Sequence, residues 1–436
     1  MVRYRCIKGT DTNNACNIFY GKMKSNLQNI AVHYCTIQTL DAILKEGFLR
    51  AVDSRFMNDL GEYEFGINVI KNKFDKIIES NVIPVTVSFS CEPDLTTQWA
   101  MYAKELGVGI EMDFGFSSYW RDAKNDKTII TIDDFPPEIA QEGRNNKFIT
   151  VGTSYPLKVI YYDDKGESTD ESINQLKKAI NDAHENVGRI KNYTPPKFDD
   201  IYQFASTFIK SKAFEYEKEA RISTFIMDEL NSISPKIYFH ANSCYLRPYV
   251  NLCFIRENTN GIENIGWPIK TIWVGPGRNQ IKAVESVIKR LELGDVKCFP
   301  VPFEEFEKRL EEYIADMYTY VGIKADKAKK YTNDILSEVF TNNMKYKQNG
   351  TQKSHKCLDF DEYKTAQMII NDAIKKAKGN IVKYYIEEYS AVYTESYVKD
   401  KAKEQAAKLV NEFESYNYFS YYGIRIKSSQ KPFSFV

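Results

Sequence analysis

Four places along the chain gather side chains whose types and spacing could do chemistry. His33, followed by Tyr34, lies inside the apolar run NIAVHYCTI. A histidine on an apolar strand loses hydration unless the fold uses it, so the ring is either a hydrogen-bonded core residue or a group facing a ligand. The segment RFMNDLGE brings Arg55, Asn58, Asp59 and Glu62 together. Arg55 could hold a diphosphate and Asp59 or Glu62 a ribose hydroxyl, while Asn58 or Asp59 could equally cap the helix that follows. Ser88 and Ser90 end an apolar strand, and Trp99 and Tyr102 share one helical face beyond it. These aromatics are core residues or walls that stack a nicotinamide or a nucleobase. Last comes FEYEKEARI. Extended backbone would put Glu217, Glu219 and Arg221 on one face and Lys218, Ala220 and Ile222 on the other. One carboxylate could then accept from a ribose hydroxyl and steady positive charge on an anomeric carbon, with the arginine keeping it ionised. The plain alternative is a solvated salt-bridge ladder.

The elements that must position these groups alternate densely. NIAVHYCTI reads as a strand, with Thr36 or Thr39 capping a helix that holds Leu40, Ile43 and Leu44 and stops at Gly47. Residues 48–66 read as a loop leading into a helix, and VIPVTVSFSCE as a buried strand. TTQWAMYAKELG predicts a short helix and VGIEMDF another strand; 120–150 is polar, contains Pro-Pro, and reads as a loop or insertion. PLKVIYYDD predicts a strand, 171–190 and 199–214 predict helices, and EARISTFIMD, YLRPYVNLCFI and IKTIWVGPG predict strands. An amphipathic helix over NQIKAVESVIKRLELG and a final strand at DVKCFPVPF complete this part. From about residue 304 strand-like runs vanish and Lys/Glu-rich helical periodicity takes over, broken most clearly at KYKQNGTQKSHK. The expected organisation is an α+β domain over 1–303 and an all-α region over 304–436.

Lys and Arg number 59, as do Asp and Glu, so the formal net charge is zero. No global pull toward nucleic acid or membrane follows, although a balanced total leaves room for a local basic groove. The 30 tyrosines and 26 phenylalanines serve packing or base stacking. No run approaches a membrane span and the first residues lack a signal-peptide core. The eight cysteines form no CxxC pair, which fits reduced thiols in a cytoplasm. The histidines His33, His184, His240 and His355 are far apart, so no metal site is expected. There is no GxGxxG after a strand, no GxxxxGK[ST], no GxSxG and no HExxH, which argues against a Rossmann dehydrogenase, a P-loop NTPase, an α/β-hydrolase and a zincin.

Taken in order, HYCT, RFMNDLGE, SFS with W..Y....G, FEYEKEARI and the WVGPG turn resemble an uncharacterised bacterial domain family over roughly residues 30–295. That family is in turn similar, more distantly, to ADP-ribosyltransferases. The resemblance implies a split antiparallel sheet core with peripheral helices and NAD as co-substrate. It implies that His33 meets the adenosine-side ribose or the nicotinamide amide, and that Glu217 or Glu219 stands near the reactive ribose. Tyr34, Arg55, Asn58, Asp59, Ser88, Ser90, Trp99, Tyr102 and Arg221 would complete the NAD site. The implied protein is an ADP-ribosyltransferase or NAD-consuming effector, for instance in antiphage defence or a toxin system. Its acceptor is a protein, a nucleic acid, a small molecule or water. The helical region would serve partner binding or self-association. Two other readings use the same residues: a nucleic-acid-binding or processing protein whose aromatics stack bases, and a non-enzymatic interaction protein with a degenerate site.

Overall fold

The computed structural model describes residues 19, 22–23, 26–57, 60–74, 82–103, 107–115, 127–132, 149–150, 155–163, 170–187, 198–227, 237–241, 245–258, 261–298, 301–342, 360–390, 395–420 and 422–429. Asn58, Asp59 and the KYKQNGTQKSHK break lie outside these residues. The chain is mixed α+β and divides into two compact units. One comprises Met1–Tyr102, Glu111–Pro268 and Val296–Phe299; the other comprises Ala103–Ile110, Ile269–Asp295 and Pro300–Val436. The longest piece of the second unit begins close to the boundary drawn at 303/304, but that unit also takes in two earlier segments.

In the first unit the strands are β1 (Ile30–Cys35), β2 (Leu49–Asp53) and β3 (Val82–Ser90), the end of β4 (Val108–Asp113), then β5 (Lys127–Ile132), β6 (Ile149–Thr150), β7 (Leu157–Lys158), β8 (Ile160–Tyr162) and β9 (Ile209–Ser211). They continue through β10 (Glu219–Met227), β11 (Tyr238–Ala241), β12 (Leu246–Asn258) and β13 (Gly261–Gly266). β3 organises them. Along one edge β10 pairs with its whole length, from Glu219 opposite Ser90 to Met227 opposite Val82. The other edge is shared: β2 takes Val85 and Thr86, and β1 takes Ser90. Ser88 stands at the fork between them. β12 extends the sheet beyond β2 and also pairs with β5, β11 and β13, all antiparallel.

The helices α1 (Ile37–Glu46), α2 (Leu60–Phe74), α3 (Asp170–Val187) and α4 (Phe198–Ser206) flank the sheet. Thr36, not Thr39, caps α1, its hydroxyl accepting from Thr39 N at 3.2 Å, and Gly47 closes it at φ 78°. α2, α3 and α4 bury Val69, Ile70, Leu176, Ile180, Phe204 and their neighbours in one apolar cluster, as their helical spacing requires. Gly66 has a packing reason: a Cβ there would run into the Ser206 carbonyl. α2 therefore lies against the end of α4, and Glu62, one turn earlier on α2, is carried toward β9.

Several sequence expectations are corrected. LRAVD is strand β2 rather than loop; its charged Arg50 and Asp53 mask the Leu49, Ala51, Asp53 alternation that faces inward. KTIITI within 120–150 is a strand because β12 supplies a partner from Leu252 to Glu257. PLKVIYYDD breaks at Val159, since β7 pairs with β10 while β8 pairs in parallel with β9. The helix expected over 199–214 stops at Ser206. The chain then forms β9 and a 3₁₀ turn, Lys212–Glu217, because tertiary pairing overrides local propensity. The described residues of DVKCFPVPF carry isolated bridges instead of a strand, one of them from Cys298 to Trp267.

The second unit holds β14 (Ile269–Val274) and helices α5 (Gln280–Leu293), α6 (Phe303–Tyr320), α7 (Ala325–Asn342), α8 (Phe360–Ser390) and α9 (Glu395–Tyr416). It is mostly helical but not all-α. β15 (Asn417–Phe419) and β16 (Arg425–Ser428) follow α9, and β16 pairs in parallel with β14. Strands of three and four residues, β16 with an arginine and a lysine, give no strand pattern of their own; pairing with β14 decides them. Phe306, Leu310, Ile314, Val339, Ile370 and Phe413 lie at the centre of this unit's core. Among the described residues no helix is long and apolar enough to cross a membrane.

Candidate functional site

The site grows from β10 and the turn before it. Lys218 takes left-handed backbone, φ 49° and ψ 47°, between the end of the 3₁₀ turn and the start of β10. Glu217 therefore precedes the strand instead of sharing its alternation, yet both carboxylates reach one ammonium. Lys210 Nζ donates to Glu217 Oε2 at 2.9 Å and to Glu219 Oε2 at 3.0 Å, and forms an ion pair with Glu62 Oε2 at 3.0 Å. Arg221 grips Glu219 with both prongs, Nε to Oε1 at 2.7 Å and Nη2 to Oε2 at 2.8 Å. It also pairs with Glu62 and donates to the Thr207 carbonyl at 2.5 Å. Arg221 is 1 % exposed, and Lys210, Glu62, Glu217 and Glu219 are buried with it. Three carboxylates face two cations, so the fully ionised cluster carries one excess negative charge.

Backbone groups of the turn are fixed as firmly. Ser90 Oγ and Gln98 Nε2 donate to the Glu217 carbonyl at 3.2 and 3.1 Å, and Glu219 N donates to the Tyr161 hydroxyl at 2.7 Å. Tyr102 donates to Glu217 Oε2 at 3.4 Å. The two glutamates are pushed apart electrostatically. Burial alone would raise Glu219, but Arg221 and Lys210 pull it down to about 2. For Glu217 burial wins, only partly offset by Lys210, and its carboxyl stands above the ordinary value. Burial would lower Lys210, but Glu219 and Glu62 reverse this and hold it charged.

His33 answers the fork in the sheet. Its Nδ1 lies 3.0 Å from the Ser88 carbonyl, which can only accept, so Nδ1 carries the proton and Nε2 the lone pair. Burial lowers its pKa and keeps the ring neutral near pH 7. A cavity of about 370 Å³ is lined by His33, Ser88, Ser90, Tyr102, Glu217 and Glu219, among others; this lies within the range of small-molecule sites, about 300–1,000 Å³.

The structure thus brings His33, Tyr34, Ser88, Ser90, Tyr102, Glu217 and Glu219 to one cavity, with Arg221 directly behind it. Trp99 is fully buried, donates Nε1 to Asp94 at 2.8 Å and packs its ring against Tyr34; it braces the wall. Arg55 forms a bidentate pair with Asp53 and is outside the cavity lining. Asn58 and Asp59 are outside the described residues. Sequence reasoning missed Lys210, Gln98 and Tyr161. A lysine inside the run FIKS was the available signal, hidden by reading that stretch as a helix. It also left Glu62 undecided. Among the described residues no group of His, Cys, Asp and Glu is arranged for a metal ion; the centre of the three carboxylates is filled by the Lys210 ammonium.

Residues 98–222 match the profile of a family described as proteins of unknown function (DUF2971). The match agrees with an uncharacterised domain family, over a shorter stretch than 30–295. It includes Tyr102, Lys210, Glu217, Glu219 and Arg221, whereas His33, Glu62 and Ser88 precede it. No curated protein and no solved structure matches the chain.

Proposed function

We propose that the chain cleaves the nicotinamide–ribose bond of NAD and transfers ADP-ribose to an acceptor, as ADP-ribosyltransferases do, or to water. The observation that carries this reading is the pair Glu217 and Glu219, two residues apart and oppositely shifted, around Lys210 in a cavity also lined by His33. Environments that push two carboxyls apart divide their chemical roles. Glu219, always ionised and locked in place, lies where it can steady the oxocarbenium-like centre formed as C1′ separates from the pyridinium nitrogen. The bonding electrons leave with nicotinamide, which departs neutral and needs no acid. Glu217, the more basic carboxylate, takes the proton of the attacking hydroxyl or amine as the new C1′ bond forms. Neutral His33 offers Nε2 as an acceptor to a ribose hydroxyl or to the carboxamide. The fork where β1 and β2 leave β3 supports the split-sheet expectation.

The test is to incubate the full chain with NAD, with and without cell lysate, and to follow nicotinamide by chromatography. Release that disappears in E219Q and E217Q supports the reading, and lysate dependence separates transfer from hydrolysis. Equal turnover by both variants would overturn it.

A further inference from the structure

We infer that the face of β2, β11 and β12 beside the cavity seats a single-stranded nucleic acid, the acceptor class for the proposed transfer. The assignment of the strand as acceptor rests on that reading; the seat rests on geometry alone. Register places its residues on one face. His240 is opposite Arg247 and Tyr238 opposite Tyr249, Tyr249 is opposite Val52, and Val52 is opposite Thr86. The same face continues through Ser88 and Ser90 to Arg221 and Glu219. Arg50 and Arg247 line the cavity itself, so seat and cavity are continuous.

The face has the chemistry of a polynucleotide groove. Arg50 Nη1 lies 3.2 Å from His240 Nδ1, and the Arg50 guanidinium sits over the Tyr249 ring at 5.1 Å. Tyr249 in turn stacks on Tyr238, with centroids 5.5 Å apart and planes within 22°. Arg247 covers the Tyr245 ring at 5.4 Å, and its buried Nε has no hydrogen-bond partner among the described residues. No described carboxylate pairs with Arg50 or Arg247. Two guanidiniums without a counter-charge attract phosphates, and a stack that ends in an arginine plane is extended by a base. An acidic peptide would satisfy the charges but leave the stacking surface unused. Arg50 and His240 are themselves exposed on this face, so a strand has access to it. The zero net charge of the chain conceals this local excess.

Fluorescence anisotropy of the full chain with a labelled oligothymidylate of about twelve nucleotides tests the seat. Binding should weaken linearly in log–log salt with a slope of about −0.7 per phosphate neutralised. R50E/R247E should lose at least about tenfold in affinity, with an unchanged melting curve, while E219Q binds as wild type. With NAD present, mass spectrometry should find the oligonucleotide carrying one ADP-ribosyl unit, C1′ bonded to a strand nucleophile whose proton passes to Glu217 as nicotinamide leaves. No strand binding, equal binding by R50E/R247E, equal binding of polyglutamate, or competitive displacement of the strand by NAD each overturns the inference. Nicotinamide release without strand binding sinks the seat and spares the catalytic reading. Strand binding without nicotinamide release does the reverse.

Discussion

Arg221 in the first unit and Arg309 in the second are both buried guanidiniums, 1 % and 3 % exposed, and they belong to opposite kinds of ionic site. Arg309 pairs with Glu305, one turn earlier on α6, at 2.9 Å and spends Nη1 on the carbonyls of Ile269 and Gly423. That pair is local and neutral. Arg221 meets Glu219 from its own strand and Glu62 from a helix far away in sequence, alongside Lys210 and Glu217, and the group keeps an excess carboxylate beside a cavity. A buried neutral pair can be exchanged for apolar residues at little cost, whereas an unbalanced one must be held by several elements. The comparison teaches that the unbalanced arrangement beside the cavity is the one that suits the proposed ligand site.

The sharpest way to break the comparison is to replace each site as a whole. E305L/R309M should keep nicotinamide release and cost about 1–3 kcal/mol in urea titrations, because apolar substitutes roughly match the buried pair while the Ile269 and Gly423 carbonyls lose the Arg309 donor. E219L/R221M should abolish nicotinamide release whatever it does to stability. If both double variants kept turnover, the distinction would fail. Single removals come next: R309M and R221M should each cost about 3–5 kcal/mol, the first because Glu305 is left buried without its partner, the second because three buried carboxylates are left to Lys210, read as a lowered urea midpoint at constant slope. E217Q should reduce turnover by about 10²–10⁴ with little change in thermal midpoint. Wild-type rate should also fall as pH drops through Glu217's value, which lies above the ordinary 4.5, while Glu219 stays ionised.

Acid stability separates the two glutamates by sign. Glu219 is lowered from 4.5 to about 2, so its stabilisation is complete above pH 4.5 and is lost as pH falls toward 2. Glu217, shifted upward, contributes in the opposite sense. Urea denaturation between those limits should show a steeper acid loss for E217Q than for E219Q. The smallest effect is expected at the fork: H33F leaves the Ser88 carbonyl without its donor and should cost about 1–3 kcal/mol, checked by the same denaturation.

Much of this was legible because it is local. Apolar runs named β1, β3, β10 and β12, and Thr36 with Gly47 bounded α1 through side-chain capping and a left-handed stop, both short-range effects. Glu217, Glu219 and Arg221 stood out because they lie within five residues of one another. His33 was suspect because a polar ring on an apolar strand needs a reason, and the reason proved to be an open carbonyl at the fork. Arg55, suggested by its composition alone, is turned to Asp53 instead.

What the chain itself determined is the alternation and periodicity of its elements, the short acidic motif before β10, and a mostly helical second half. Tertiary structure alone decided that Lys210 stands among three carboxylates, that Glu62 comes from α2 through the close approach at Gly66, and that Arg50 and Arg247 share a face. It also made LRAVD, KTIITI and RIKS into strands. The physical reason is common to all of these. Strand pairing and ion-pair geometry depend on partners tens to hundreds of residues away, and no window of sequence contains the charge that a buried lysine will meet.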